Sequence, residues 1–181
     1  MKKIALLLAQ GFEEVEAVTP VDYLRRAGIE VQVAGIGGTV LKGAHGLSVG
    51  ADLGVEDLSE DLDGVVIPGG LPGASNVAAS KEAQVLIQVL HRRGALVAAI
   101  CASPAFVLAP LGILEGKKAT CYPGCEGDLT GAEFSTRRVV RDGNVITSRG
   151  PGTAAEFSLE IIRYLAGEAK AAEVSGQTLQ K

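Results

Sequence analysis

The sequence is poor in aromatic residues, in cysteine and in clustered basic charge, and each shortage narrows the class of protein. Tryptophan is absent and aromatic residues make up 4% of the 181 residues, so the core must be built from aliphatic side chains. Three cysteines are too few, and odd in number, for a disulfide-rich secreted scaffold. They favour a reducing compartment, and we expect a cytoplasmic protein.

Charge and hydropathy exclude two further classes of partner. The formal net charge is −4, and no run of Lys or Arg is longer than a pair, so nothing indicates a nucleic-acid surface. No apolar run approaches the ~20 residues that span a bilayer. Lys2 and Lys3 precede a short apolar stretch that resembles the start of a signal peptide, but three glutamates follow without a cleavage site. We therefore expect neither a membrane span nor a leader.

Several common enzyme motifs are also missing. The sequence contains no G-x-x-x-x-G-K-[ST] phosphate loop, no H-E-x-x-H zinc motif and no G-x-S-x-G elbow. Residues 35–38 (Gly-Ile-Gly-Gly) lack the third glycine and the following helix of a dinucleotide fingerprint, so we interpret them as a turn. Two histidines, with Cys121 and Cys125 lacking a second ligand pair, disfavour zinc. We expect no metal and no cofactor.

What the sequence does contain is an alternation of apolar runs and helical periodicity. Hydrophobic residues make up 47% of the chain and there are 24 glycines. Continuous apolar runs at 4–8, 29–34, 65–67 and 96–100 predict strands buried on both faces, as in a parallel sheet. Asp142-Gly143 between two short apolar runs predicts a hairpin turn.

Apolar residues at helical spacing predict the helices between these strands. They run from Val15 to residue 27, from 81 to 93 with Ser80 as N-cap, and from Pro104 to Leu111. A capping box, Thr153-x-x-Glu156, predicts a helix through 165, and residues 168–179 predict a last one. The sequence therefore predicts one domain over 1–181, a flavodoxin-like, doubly wound α/β sandwich with a mostly parallel sheet and helices on both faces.

Cys101 is the residue at which we expect chemistry. It follows the strand at 96–100 and precedes the helix of Pro104, at the sheet edge where open α/β folds bind ligands. The N–H groups of a helix start would lower the pKa of the thiol and favour the thiolate. The alternative is an inert buried cysteine, but its position and the lack of a rival site favour a reactive thiol.

A reactive thiolate needs a proton partner and hydrogen-bond donors. Glu13, Glu14 and Glu16 follow the first strand, which opens onto the same edge as Cys101. Two of these carboxylates would be ordinary helix-start charges, and the third would be protonated beside the sulfur. The glycines at 69 and 70, which end another strand, either bring a backbone N–H close to a substrate oxyanion or only form a turn.

Four segments together resemble the DJ-1/ThiJ/PfpI superfamily, in its branch with DJ-1 and YajL. They are residues 11–16 (GFEEVE), 68–70 (PGG), 99–102 (AICA) and 147–153 (TSRGPGT), and their order and spacing match over essentially the whole chain. The resemblance implies a flavodoxin-like homodimer whose nucleophile, Cys101, is held by a protonated Glu16. It also implies an oxyanion pocket made by the N–H groups of Gly70 and Ala102, beside Gly69.

The remaining candidate residues are assigned with less support from the residues themselves. Ala102 stands where protease-like branches place a histidine, which removes the base of a Cys-His protease. By resemblance, Tyr122 would shape the pocket and Arg149 would lie near the cleft. We expect Arg25 at the surface or a dimer interface, and we interpret His91 as a helix-end cation. His45 is expected in an exposed turn, with reach into a partner's active site as the alternative.

Members of this superfamily are described as cofactor-free glyoxalases, as deglycases and as oxidation-responsive chaperones. The resemblance therefore implies an enzyme that converts methylglyoxal, glyoxal or their protein and nucleotide adducts into 2-hydroxy acids, in defence against carbonyl and oxidative stress. The alternative is a redox-sensing chaperone whose Cys101 is oxidised to sulfinate. Cys121 and Cys125 either pair, or resolve an oxidised Cys101, or are unpaired structural thiols, which is the favoured interpretation.

Overall fold

The computed structural model describes residues 1–59 and 61–180, and its apolar runs form a central sheet. The strands are β1 (Lys3–Ala9), β2 (Glu30–Ile36), β3 (Val40–Lys42), β4 (Ser48–Gly50), β5 (Leu53–Gly54), β6 (Gly64–Ile67), β7 (Leu96–Ile100), β8 (Lys118–Ala119), β9 (Glu133–Phe134), β10 (Val139–Asp142) and β11 (Val145–Ser148). The α-helices are α1 (Glu14–Arg26), α2 (Gly73–Ala79), α3 (Lys81–Arg92), α4 (Ala154–Ala166) and α5 (Glu168–Gln177).

The main sheet has seven strands in the order β10-β11-β7-β6-β1-β2-β5. Its neighbours pair in parallel except for β10 and β11, which form an antiparallel hairpin. Strands β3 and β4 form a separate small hairpin, and β8 pairs with β9. The predicted mostly parallel α/β sheet is confirmed.

Burial on both faces explains why the central strands have continuous apolar sequences. Alternate residues of β1 enter different cores: Ile4, Leu6 and Leu8 join one with Phe157 of α4. Ala5, Leu7 and Ala9 enter the other core, which includes residues of α3 and of the segment after Pro104. Because side chains alternate along a strand, both faces must be apolar when helices cover both.

Helices of the two faces differ in how they begin. Ser80 caps α3 as predicted, because its side chain accepts a hydrogen bond from the N–H of Ala83. The predicted capping box of α4 is wrong: the Thr153 hydroxyl instead lies 2.6 Å from the Ser148 hydroxyl and 3.1 Å from the Gly150 N–H. Glu156 in turn binds Arg138. Partners outside the helix therefore compete successfully for both side chains of the box.

The helix predicted from Pro104 to Leu111 begins where expected, but it is shorter and of a different type. A π-helical segment spans only Pro104–Leu108, and the N–H of Ala109 donates to the Pro104 carbonyl, five residues back. Pro110 has no N–H and cannot continue an α-helical hydrogen-bond pattern. No extended α-helix therefore begins behind Cys101.

Two smaller expectations need correction. In the hairpin, Asp142 pairs with Val145, so the loop is formed by Gly143 and Asn144, and the Asp142 carboxylate accepts the N–H of Lys118. His91 lies in the last turn of α3 as predicted, but burial, and then Lys117, lowers the pKa of its ring and so disfavours the charged form. Within 1–59 and 61–180, no helix combines the length and the apolar character required to cross a membrane.

Candidate functional site

Cys101 occupies a strained position at the carboxyl edge of the sheet. Its φ of 67° is in the left-handed region, which non-glycine residues rarely adopt. Two backbone hydrogen bonds fix this conformation: its N–H donates to the Ser148 carbonyl over 2.9 Å, and its own carbonyl accepts from Tyr122 over 2.8 Å. The side chain is almost entirely enclosed, with the residue 8% exposed. Strain held in this way by the surrounding structure is typical of functional sites.

Glu16 lies against this cysteine from the first turn of α1. Its side chain is fully buried and hydrogen-bonds to the Cys101 thiol. Oε2 accepts the Gly69 N–H over 2.8 Å. In the part of the chain that is described, Oε1 is buried without a hydrogen-bond partner. Glu16 therefore keeps one oxygen for an exchangeable proton or a bound molecule.

Gly69 is required by the close approach of these two side chains. A methyl group on Gly69 would lie 2.5 Å from Cys101 Cβ and 2.8 Å from Glu16 Oε2. At Gly70, φ is +87° and a side chain would lie 2.4 Å from the Glu13 nitrogen. The turn after β6 lies so close to α1 and to the end of β7 that only glycine leaves enough space there.

Burial dominates the electrostatics of the pair. It raises the pKa of Glu16 to about 7. The hydrogen bonds from Gly69 and Cys101 lower this pKa, and the charge of Glu13 raises it further. Burial, followed by the charge of Glu16, raises the pKa of Cys101 to about 12, although the N–H groups of Gly70 and Ala102 lower it. The pair thus resists carrying two negative charges and retains one shared proton.

This finding corrects the expectation that a helix start lowers the pKa of Cys101. The dipole of an α-helix requires a series of aligned peptide units, and only a five-residue π-helical segment follows here. The N–H groups of Gly70 and Ala102 are nevertheless directed at the sulfur and favour its thiolate form. Thiolate therefore depends on transfer of the proton to Glu16.

Tyr122 and Gly150 lie beside the pair, and two predicted arginines do not contact it. A methyl group on Gly150 would lie 3.2 Å from Tyr122 Cδ2 and 4.0 Å from Glu16 Oε1, so the glycine leaves space between them. Arg149 lies over the Phe134 ring, 5.8 Å from its centroid, with its guanidinium 3.8 Å from Glu126. Arg25 binds Asp52 over 3.2 Å on the opposite side of α1.

His45 lies in the turn between β3 and β4, with its side chain 74% exposed. Its Nδ1 is 3.0 Å from Glu14 Oε2, and this contact raises the pKa of His45. Glu13, Glu14 and His45 also form a group whose potential ligand atoms lie within 4.8 Å of one another. Three of the four carboxylate oxygens accept hydrogen bonds from His45, Leu47 or Glu16. These contacts explain the cluster without a metal.

Ser103 was not found as a site residue from the sequence, and Glu13 was expected only as one of the helix-start charges. Ser103 is fully buried and donates its hydroxyl to the Pro68 carbonyl over 2.5 Å, which anchors the turn that carries Gly69. Glu13 caps α1 through the Glu16 N–H over 2.8 Å. A serine before proline and an acidic residue before a helix were the available signals, but neither identifies a distant partner.

The other cysteines are free thiols. Cys121 is buried and Cys125 is partly exposed. Burial, and then the neighbouring Cys125, raises the pKa of Cys121 to about 12. Burial also raises the pKa of Cys125.

Comparison with known proteins identifies the family. The model for the DJ-1/PfpI family matches residues 2–164. The chain belongs to the DJ-1/PfpI family. Deglycase PfpI of Pyrococcus furiosus, a member that is 36% identical, is covered over 99% of its length by 90% of this chain. Protein DJ-1 homolog B of Arabidopsis thaliana is 39% identical over 99% of the chain, which spans 42% of that protein.

Solved structures of the family agree with the fold. Oxidized DJ-1 of Toxoplasma gondii superposes with a TM-score of 0.96 at 35% identity, over 99% of this chain and 98% of that one. The flavodoxin-like sandwich implied by the resemblance is therefore confirmed.

Proposed function

We propose that this chain is a cofactor-independent cysteine enzyme that converts 2-oxoaldehydes, free or as adducts with protein and nucleotide groups, into 2-hydroxy acids. The observation that carries the proposal is the buried thiol and carboxyl pair of Cys101 and Glu16, in which burial raises the pKa of both groups. The name deglycase, given to the Pyrococcus relative, supports reactive carbonyl compounds as the substrate class. Such an activity would serve defence against carbonyl and oxidative stress.

The first step forms a carbon–sulfur bond. The Cys101 proton moves to Glu16, and the sulfur attacks the aldehyde carbon of methylglyoxal. The aldehyde oxygen becomes an alkoxide, which the N–H groups of Gly70 and Ala102 are close enough to stabilise, because they are directed at the sulfur. Glu16 then returns its proton to this oxygen, which gives a hemithioacetal and a Glu16 carboxylate.

The second step moves hydrogen between two carbons. Glu16 removes the proton from the carbon bonded to sulfur, and the electron pair forms an enediolate with the neighbouring carbonyl. Returning the proton to that neighbouring carbon, while the hydroxyl proton passes from the oxygen beside sulfur to the neighbouring oxygen, gives a thioester of the 2-hydroxy acid. Water then attacks the thioester carbon, releases the acid and restores the thiol, so the net reaction consumes one water. Oε1 suits these transfers because Gly69 holds only Oε2.

Tyr122 and Gly150 suit a small substrate. Tyr122 is 46% exposed, so its ring stands at the rim rather than in the core. Since Gly150 leaves room between this ring and Glu16, a two- or three-carbon aldehyde fits the role better than a peptide. Replacing Tyr122 by Phe should preserve turnover if the ring acts as a wall, and replacing it by Ala should raise KM.

A homodimer in the cytoplasm is part of the proposal. Val15 and Val18 of α1 are 47% and 46% exposed, which is unusual for large aliphatic side chains on one helix. A groove of about 210 Å³ beside them is lined by Val18, Val21, Arg25 and Val49. Light scattering should give twice the chain mass, and Val18→Glu should reduce it.

The deciding experiment measures conversion of methylglyoxal to lactate without glutathione. Cys101→Ser should abolish turnover and Glu16→Gln should reduce it by at least about a hundredfold, because it cannot accept the proton. Cys125→Ser is the matched control, since this thiol takes no part in the chemistry, and it should retain turnover. A Cys101→Ser protein with full activity would remove the proposal.

A second candidate is a redox sensor that uses the same pocket. The N–H groups of Gly70 and Ala102 and a protonated Glu16 are donors for the oxygens of a Cys101 sulfinate. The Toxoplasma structure is of an oxidized DJ-1, which favours this reading. Negligible turnover, together with chaperone activity that rises after peroxide in wild type and not in Cys101→Ser, would select the sensor over the enzyme.

A further inference from the structure

Two buried hydroxyl groups join the ends of the loop between β11 and α4. Ser148 ends β11 and Thr153 stands directly before α4, and their hydroxyl oxygens lie 2.6 Å apart. The Ser148 hydroxyl also lies 2.9 Å from the Arg138 carbonyl, to which it donates. From the outside, the Arg138 guanidinium donates to the Gly152 carbonyl over 2.6 Å. The loop is therefore fastened from within by hydroxyl groups and from the surface by an arginine.

The Thr153 hydroxyl holds the peptide groups on both sides of Gly150. Its oxygen accepts the Gly150 N–H over 3.1 Å, and the hydroxyl donates to the Gly150 carbonyl over 2.8 Å. The carbonyl has a second donor, the backbone N–H of Thr153, also at 2.8 Å. Gly150 is itself buried, so its N–H would be poorly solvated without the Thr153 oxygen. The Gly150 N–H therefore depends on this hydroxyl more than the carbonyl does.

The same loop borders the reactive pair. The Ser148 carbonyl accepts the Cys101 N–H over 2.9 Å, which ties the start of the loop to the cysteine. A methyl group on Gly150 would lie 4.0 Å from Glu16 Oε1 and 3.2 Å from Tyr122 Cδ2. The Gly150 backbone thus forms one wall of the space in front of Oε1, and the Tyr122 ring forms another. Where Gly150 lies decides how wide this space is.

We propose that Thr153 is a positioning residue that sets the size of the aldehyde that reaches Cys101, and that it acts through Gly150. Without the hydroxyl, the Gly150 N–H loses its acceptor, and its peptide group turns toward solvent to bind water. This movement takes the backbone away from Tyr122 and widens the space beside Glu16, so larger substituents enter. The inference rests on the proposed function for its substrates, but access to Cys101 is measurable without turnover.

The test compares Cys101 alkylation by a small reagent, iodoacetamide, and a large one, N-phenylmaleimide, with mass spectrometry of the peptide that contains Cys101. Thr153→Val keeps the shape of the side chain and removes the hydroxyl. The ratio of the large-reagent rate to the small-reagent rate should rise by about tenfold. Thr153→Ser keeps the hydroxyl and should restore the wild-type ratio. The kcat/KM for phenylglyoxal relative to glyoxal should change in the same direction.

Two further variants separate selectivity from stability. Gly150→Ala adds a methyl group to the wall, and the φ of 166° is extended backbone that alanine adopts, so the same ratio should fall below that of wild type. Ser158→Ala is the matched control, because Ser158 is fully buried and its hydroxyl donates to the Ala154 carbonyl within α4 over 2.7 Å. It should lower the melting temperature, as Thr153→Val does, and leave the ratio unchanged.

Four results would overturn the proposal. They are an equal change of both alkylation rates in Thr153→Val, a failure of Thr153→Ser to restore the ratio, a rise of the ratio in Ser158→Ala, and a ratio that does not fall in Gly150→Ala. If Thr153→Val does not fold, Ser148→Ala decides, because it removes the partner of the Thr153 hydroxyl and should raise the ratio in the same direction; an unchanged ratio overturns the proposal.

The two proposals fail in different ways. Alkylation ratios that shift as expected, without turnover of any aldehyde, would remove the proposed enzyme and leave the positioning role of Thr153 intact. Aldehyde turnover that depends on Cys101, with the same alkylation ratio in Thr153→Val and wild type, would keep the enzyme and remove the role of Thr153.

Discussion

Replacing Gly69 by alanine is the smallest change that separates Cys101 from Glu16. The added methyl group would lie 2.5 Å from Cys101 Cβ, 2.8 Å from Glu16 Oε2 and 2.9 Å from the Ile100 carbonyl. The φ of Gly69 is not positive, so alanine meets no backbone penalty there. Any effect of this substitution is therefore steric and acts directly on the reactive pair.

These distances give the size of the effect expected for Gly69→Ala on stability and on rate. Ordinary contact begins at 3.4 Å, so either side chain or the turn must move by about 1 Å. Overpacking of this kind costs about 1–3 kcal/mol, and each kcal/mol lowers the melting temperature of a chain this long by about 2–4 °C. A displacement of about 1 Å at reacting atoms lowers the rate by about a hundredfold.

The assay compares Gly69→Ala with Gly152→Ala. Gly152 lies in a short 3-10 helix at Pro151–Thr153, next to Gly150 of the site region, but a methyl group there meets nothing within 4 Å and its φ is not positive. We expect Gly152→Ala to match wild type in methylglyoxal turnover, Cys101 alkylation and melting temperature. Gly69→Ala should have lower rates of turnover and alkylation and a lower melting temperature. A folded Gly69→Ala protein within twofold of wild type in both rates would refute the close packing of the pair.

Three other predictions follow from the same contacts. Because burial raises the pKa of Glu16 from 4.5 to about 7, its stabilising contribution is complete below pH 4.5 and is lost by about pH 7, a change of about 3 kcal/mol. Urea unfolding between pH 4 and 8 should show wild type losing stability relative to Glu16→Gln, and parallel curves would contradict this. Ser103→Ala leaves the buried Pro68 carbonyl without its donor and should cost about 1–3 kcal/mol in thermal unfolding, whereas an unchanged melting temperature would show that the bond is unimportant. Mild peroxide should add two oxygens to the peptide of Cys101 when digested protein is analysed by mass spectrometry, and addition at the fully buried Cys121 instead would oppose the assignment.

The central strands were predictable because their burial leaves a direct pattern in the sequence. The runs at 4–8 and 96–100 are apolar at successive positions, and β1 and β7 bury both of their faces. A strand that is covered on both faces accommodates few polar residues, so a continuous apolar composition is sufficient evidence for such a strand. The glycines after β6 also belong to this class, since close approach excludes other residues.

Two of the predicted turns and caps failed because their side chains bind partners outside the local motif, although the Ser80 cap was predicted correctly. Asp142 binds the N–H of Lys118, and Thr153 contacts Ser148, so side chains that suited a local turn or cap are used elsewhere. Local propensity is a preference that tertiary contacts override. The segment after Pro104 differs from the prediction for a local reason, since Pro110 lacks the N–H that an α-helix through Leu111 would need.

The sequence predicted which residues lie together better than it predicted their pKa shifts. Strand order alone brings Glu16 and Cys101 to one edge, and the structure joins them by a hydrogen bond. The direction of the Cys101 pKa was wrong because burial depends on how α1 packs against the end of β7, which no local pattern reports.

Burial of the pair also connects stability with reactivity. The enclosure that excludes water from Cys101 and Glu16 makes a second negative charge unfavourable, so above pH 7 the folded state bears the cost of an ionised Glu16. An amide at this position removes the charge and the proton together. At pH 8, Glu16→Gln should therefore be more stable than wild type and less active. Residues selected for folding alone would not show these two effects with opposite signs, whereas residues selected for proton transfer in a dry pocket should.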